Sequence, residues 1–218
     1  LIFVVPIVVM SLVGFSFIDQ RGILDRVAPA LIAVFALFFT FILTGVSFLR
    51  ERSQGTLERL LTTPVGRGDI LVGYLLGFLL FAGIQSLVIL LFTILVLQVD
   101  YQGSLWQIFV LLMVLTVVAV NLGIFISTFA RNEFQVVQFI PLVLAPQIFL
   151  AGVILPVEDL PWYLEAIARV LPMTYAVEAL QDIMLRGQGL DDVARELAVL
   201  AGFAVALLGL AAATVRRT

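Results

Sequence analysis

The chain has 218 residues, 62% of them hydrophobic and 12% charged, with a formal net charge of −3 and a mean hydropathy of +1.19. A water-soluble domain carries roughly 25% charged residues, so this supply cannot cover a solvated surface and the soluble class is excluded. Cys and His are absent and all 12 basic residues are Arg, which removes disulfides, thiol catalysis, Cys/His metal sites and His relays, and no basic run with interleaved aromatics points to nucleic acid.

The apolar residues fall in six blocks, at 1–18, 27–49, 70–99, 105–130, 134–155 and 193–215. About 20 helical residues cross a hydrocarbon core of roughly 30 Å. The blocks therefore predict an all-α, polytopic membrane protein of six transmembrane helices, forming one integral domain over residues 1–218. The first block opens in mid-run at Leu1, as expected of an N-terminally incomplete span. The segments at 50–69, 131–133 and 216–218 hold seven Arg against four carboxylates, and those on the other face hold five against eleven. Arg concentrates on cytoplasmic loops, which predicts a cytoplasmic 50–69 loop and two cytoplasmic termini, in a plasma or inner membrane.

No charged residue lies deep in a block, which argues against a proton-coupled carrier. The uncharged polar residues Thr40, Thr44, Gln85, Asn121, Ser127, Gln135, Gln138 and Gln147 are expected to bond between helices. Gly73 and Gly77, four apart, are expected to allow close helix packing. Pro141 and Pro146 predict a bent fifth span.

The segment Arg50-Glu-Arg-Ser-Gln-Gly-Thr-Leu-Glu-Arg-Leu-Leu-Thr-Thr-Pro64 is the most informative stretch. Thr56 suits an N-cap, Glu58 the positive end of the helix dipole, and Pro64 and Gly66 a stop. Leu57, Leu60 and Leu61 share one face of the resulting two-turn amphipathic helix. A helix this short is marginal alone. Its pattern fits the inner leaflet and a protein groove equally well.

Beyond the fifth block, Pro156, Pro161 and Pro172 divide the outer segment. Tyr163, Ile167 and Val170 fall on one stripe, and Met173, Val177, Leu180 and Met184 on another. Both stripes predict short interfacial or re-entrant helices dipping into the outer leaflet, with Trp162, Tyr163 and Tyr175 at interface depth. As a unit they would form a structural lid or an outer gate. ATP hydrolysis by the chain itself is excluded, because a chain without Lys has no Walker A loop.

Glu51-x3-Gly55-Thr56-Leu57-Glu58-x-Leu60-Leu61-x-Thr63-Pro64 resembles the coupling-helix signature of ABC type-2 exporter permeases. The Pro-rich segment from Leu155 through Pro161, Trp162 and Pro172 to Tyr175 resembles the outer segment of the same family, in the same order and six-span layout. The amphipathic helix that precedes the first span in that family has no counterpart here.

The resemblance implies docking to a cytosolic ABC ATPase subunit, which would bind ATP and Mg; this chain would hold no cofactor, no metal and no catalytic residue. Leu57, Leu60 and Leu61 would enter a groove on that subunit, Glu51 and Glu58 would pair with its basic residues, and Gly55 would allow the turn. Two permeases, as homodimer or heterodimer, would move an amphipathic drug, lipid or similar substrate outward. Phe38, Phe41 and Thr44, with Gln138, Leu142 and Phe149, would line the substrate path. Pro156, Pro161, Trp162, Pro172 and Tyr175 would form the outer gate. The alternative function is an ATPase-independent channel or facilitator.

Overall fold

A computed structural model of the chain describes residues 3–17, 21–54, 66–153 and 155–215. Inside hydrocarbon every backbone N–H and C=O needs a partner from the protein, which leaves helices or closed barrels as spanning structures. The described residues take the helical solution. They form α1 (Val4–Ser16), α2 (Arg21–Ser53), α3 (Arg67–Leu95), α4 (Leu105–Ser127), α5 (Glu133–Leu150), α6 (Trp162–Ala168), α7 (Pro172–Arg186) and α8 (Ala194–Val215), with a 3₁₀ turn at Val157–Asp159.

Five of these helices, α2, α3, α4, α5 and α8, are long and apolar enough to cross a membrane. The expected count of six is not reached among the described residues. Helix α1 is apolar but has 13 residues, a rise of about 20 Å against the roughly 30 Å core. Helix α2 begins well before the apolar block that announced it, taking in Asp25 and Arg26. Asp25 Oδ1 accepts the Asp100 amide at 3.1 Å, which ties the start of α2 to the 96–104 turn.

Helix α2 is the hub. It packs most extensively against α4 and also touches α1, α3, α5 and α7, while α8 closes over α4 and α7. Small residues let the central pair approach closely. Gly123 of α4 faces Thr44 and Gly45 of α2, and a Cβ there would overlap Thr44 Oγ1 and lie 2.9 Å from the Phe41 carbonyl oxygen. Thr44 turns its hydroxyl back onto its own helix, donating to the Thr40 carbonyl at 2.8 Å. Thr40, Phe41 and Thr44 are fully buried at this crossing.

The intramembrane polar residues divide in two. Gln85 Nε2 donates from α3 to the Phe35 carbonyl of α2 at 3.4 Å, and Asn121 Nδ2 from α4 to the Ala204 carbonyl of α8 at 3.0 Å. Ser86 and Thr116 lie 3.4 Å apart across α3 and α4. Thr44, Ser127 and Gln147 instead bond carbonyls of their own helices. Intrahelical bonding costs a hydroxyl nothing in reach, because the carbonyl one turn back is always present.

Two packing expectations are corrected. Among the described residues, a Cβ at Gly73 or Gly77 would meet nothing within 4 Å, and both positions are exposed. The apolar stripe of α7 faces protein rather than the surface. Its residues Met173, Val177, Leu180 and Met184 are buried in the main core against α2, α4 and α8. This stripe gives α2, α4 and α8 an apolar cover. The left-handed Gly187 (φ 67°) ends α7, and the Gln102 amide caps the Met184 carbonyl at 2.9 Å.

Gly123→Val should therefore destabilise the purified chain by about 1–3 kcal/mol through overpacking, read as a lower unfolding midpoint in detergent. Gly77→Ala, in open space, should stay within about 0.5 kcal/mol of wild type.

Candidate functional site: the root of the 55–65 loop

The residues that enter the 55–65 loop are fixed to three neighbouring helices. Arg50 and Arg52 stand in the last turn of α2, where its carbonyl end favours cations. Glu133 stands in the first turn of α5, where the opposite preference holds, behind an Asn132 N-cap whose Oδ1 accepts the Gln135 amide at 2.9 Å. The guanidinium of Arg50 spans the Glu133 carboxylate in a fork, Nε to Oε1 at 2.9 Å and Nη2 to Oε2 at 3.2 Å. Such bidentate pairs fix orientation as well as distance.

The next two residues reach α3 and α4. Tyr74 of α3 donates its hydroxyl to Glu51 Oε2 at 3.3 Å, while its ring meets Phe48 edge to face at 5.7 Å. Arg52 Nη1 donates to the Thr128 carbonyl just beyond α4, at 3.4 Å. Beneath them, Phe48 packs with Val120 and Ile124, and Leu49 with Ala130 and Val136. Three consecutive side chains thus tie the end of α2 to α5, α3 and α4. The sequence reading missed this set, because its partners lie 83, 23 and 76 positions away. The one local signal was charge of opposite sign at two helix ends.

Of the expected coupling residues, Glu51 is half-buried at this root. Gly55, Thr56, Leu57, Glu58, Leu60, Leu61, Thr63 and Pro64 lie outside the described residues. The expected path residues are not brought together. Phe41 and Thr44 face the α4 crossing, and Phe38 is half-buried beside Phe39 at 5.0 Å between ring centroids. Gln138, Leu142 and Phe149 instead share the exposed face of α5 with Phe134 and Pro146. The expected gate residues also separate. Trp162 is 81% exposed beside Tyr163, Pro156 and Pro161 precede the short helices, and Pro172 and Tyr175 are buried. Among the described residues no acidic group is placed to hold a metal ion.

Residues 1–185 match the family described as ABC-2 type transporter. The chain belongs to that family. It is 32% identical over 167 residues to ABC transporter G family member 20 of Dictyostelium discoideum, covering 77% of this chain and 23% of that protein. It is 31% identical over 179 residues to the inner membrane transport permease YhhJ of Escherichia coli, covering 81% and 48%. To the probable multidrug ABC transporter permease YbhR of Escherichia coli it is 29% identical, covering 77% and 45%. The chain thus spans less than half the length of each of these relatives.

In this ABC-2 chain, α6 and α7 are joined by ion pairs and hydrogen bonds. Arg169 Nη1 lies 2.8 Å from Glu178 Oε1, and its Nε 3.8 Å from Glu165. The Tyr175 hydroxyl donates to the Arg169 carbonyl at 2.8 Å, and Thr174 Oγ1 to the Ala168 carbonyl at 2.7 Å. Together these bonds fasten α6 onto the start of α7. Burial pushes the Glu178 carboxyl above its ordinary 4.5, with Arg169 pulling it down, Glu196 raising it and Arg195 lowering it.

A raised folded pKa means that the folded state holds the proton more tightly, so this stabilisation is full below 4.5 and is lost as pH rises through the raised value. Glu178→Gln should remove that dependence. Its unfolding midpoint relative to wild type should rise as pH increases above 4.5, and a constant difference would contradict the assignment.

Proposed function

We propose that this chain is the transmembrane permease subunit of an ABC exporter, moving an amphipathic substrate outward on ATP hydrolysed by a separate subunit. Its family membership supports the permease role, and the absence of any Lys is consistent with a nucleotide site elsewhere. The observation that carries the coupling role is the braced root at Arg50–Arg52, directly ahead of the loop with the signature Gly55-Thr56-Leu57-Glu58-x-Leu60-Leu61-x-Thr63-Pro64.

Leu57, Leu60 and Leu61 are assigned to the ATPase groove, and Glu58 to a basic residue on its rim. Glu51, already bonded by Tyr74, is assigned to anchoring the loop rather than to docking. A push on the loop then reaches α5 through Arg50–Glu133, α3 through Glu51–Tyr74 and α4 through Arg52. A loop joined only at its chain ends would move without them, whereas these links move α5 with α2. The cytoplasmic side of this root follows from the Arg distribution.

The exposed apolar face of α5, with Gln138, Leu142 and Phe149, is assigned to a second permease and the substrate path between the two; Phe38 is the α2 residue nearest to it in character. Trp162 and the outer helices are assigned to the gate over the exit. Relatives named for multidrug transport or for resistance to linearmycin support a substrate that partitions into lipid.

Two variants separate docking from transmission. Gly55→Pro with Leu57→Asp should abolish co-purification of a P-loop ATPase. Arg50→Ala should preserve co-purification but lower substrate-stimulated ATP turnover. Transport that continues with no ATPase bound would instead establish the channel or facilitator reading.

A further inference from the structure

Beside the braced root lies an open cavity of about 400 Å³, lined by Leu49, Arg52, Ser53, Thr128, Phe129, Ala130 and Arg131. That volume falls within the range of small-ligand sites, roughly 300–1,000 Å³. Its donors are two guanidinia. The Ser53 and Thr128 hydroxyls are occupied by the Arg50 and Phe125 carbonyls, and the Arg131 amide by Gln135 Oε1. Among the described residues neither Arg52 nor Arg131 has a carboxylate within ion-pair distance. Glu133, the nearest acid in sequence, is already clasped by Arg50, and Glu51 by Tyr74.

The cavity also has an apolar side. Phe129 is 55% exposed at its rim, and Phe134 and Val137 continue an exposed apolar strip down α5. It sits where α2 and α4 end and α5 begins, three helices long and apolar enough to cross a membrane. An occupant must therefore present an anion to two guanidinia and an alkyl chain to a Phe-rich helix face. A soluble acidic peptide satisfies the first demand and leaves the second unmet.

We propose that the Arg52–Arg131 cavity binds the phosphate of an anionic phospholipid, with an acyl chain lying along Phe129 and Val137. The phosphodiester oxygens accept from both guanidinia, and Arg52 keeps its remaining bond to the Thr128 carbonyl. Basic pockets between transmembrane helices hold headgroups in this manner. The site does not depend on the ATPase reading, since it needs only a bilayer. A lipid seated there would sit against the residues that carry the loop's movement, and so would tune the coupling of the transporter.

The test uses the full chain in mild detergent, extracted from bilayers of phosphatidylglycerol and phosphatidylcholine, with retained lipid counted by native mass spectrometry. Wild type should keep phosphatidylglycerol in preference to phosphatidylcholine. Arg131→Gln, at an exposed position, should lower that retention roughly fivefold, and Arg52→Gln with Arg131→Gln about thirtyfold. Arg186→Gln, on the opposite face, should leave it unchanged. Excess inorganic phosphate should not displace the lipid; displacement would mean that the cavity reads phosphate alone and would overturn the lipid assignment. Full phosphatidylglycerol retention by the double variant would overturn the proposal. So would loss of ATPase capture with retention unchanged, which would assign the cavity to a protein contact.

Discussion

The rest of the structure depends on how closely α2 and α4 cross. Two helices in lipid gain little from burying apolar surface, because the lipid is equally apolar, and association relies on close packing and on polar contacts. Gly123 removes the side chain that would hold the helices apart at Thr44 and Gly45. The Thr44 hydroxyl, folded back on the Thr40 carbonyl, presents a small and satisfied surface there. With that pair fixed, α3 and α8 each gain a polar contact to it, through Gln85 and Asn121. Helix α7 then covers part of it with an apolar stripe.

A rigid central pair has a consequence at the opposite end. Arg50, Glu51 and Arg52 emerge from α2 only a few turns beyond the crossing, so they stand on a fixed base. Their bonds are individually modest, since exposed ion pairs contribute about 0–1 kcal/mol. Their value lies in arrangement. Three successive side chains reach three helices, and the bidentate fork to Glu133 sets the direction of α5 as well as its distance. These links add to the apolar packing of Phe48 and Leu49 beneath them.

The fold class was legible because membrane spans announce themselves through length and lack of charge, as in α3 and α4. Span ends were less legible. Asp25 and Arg26 looked like loop, yet they lie inside α2, where helical backbone bonding continues past the apolar block. The stripe at Met173 to Met184 was recognised correctly as a helix face, but periodicity does not distinguish a face turned to lipid from one turned to protein. Gly73 and Gly77 failed for the same reason in reverse. The coupling signature was legible as a family motif, whereas the bonds at its root were not: each joins residues far apart in sequence, and only the folded chain places Glu133 against Arg50.

The central claim is that the segment after α2 meets a cytosolic ATPase. The chain contains no Cys, so a single Leu57→Cys or Trp162→Cys variant carries one unique attachment point for a short photoreactive cross-linker. In membranes containing the intact transporter, position 57 should capture a P-loop ATPase and position 162 should capture none. Capture from neither position, or equal capture from both, would contradict the account.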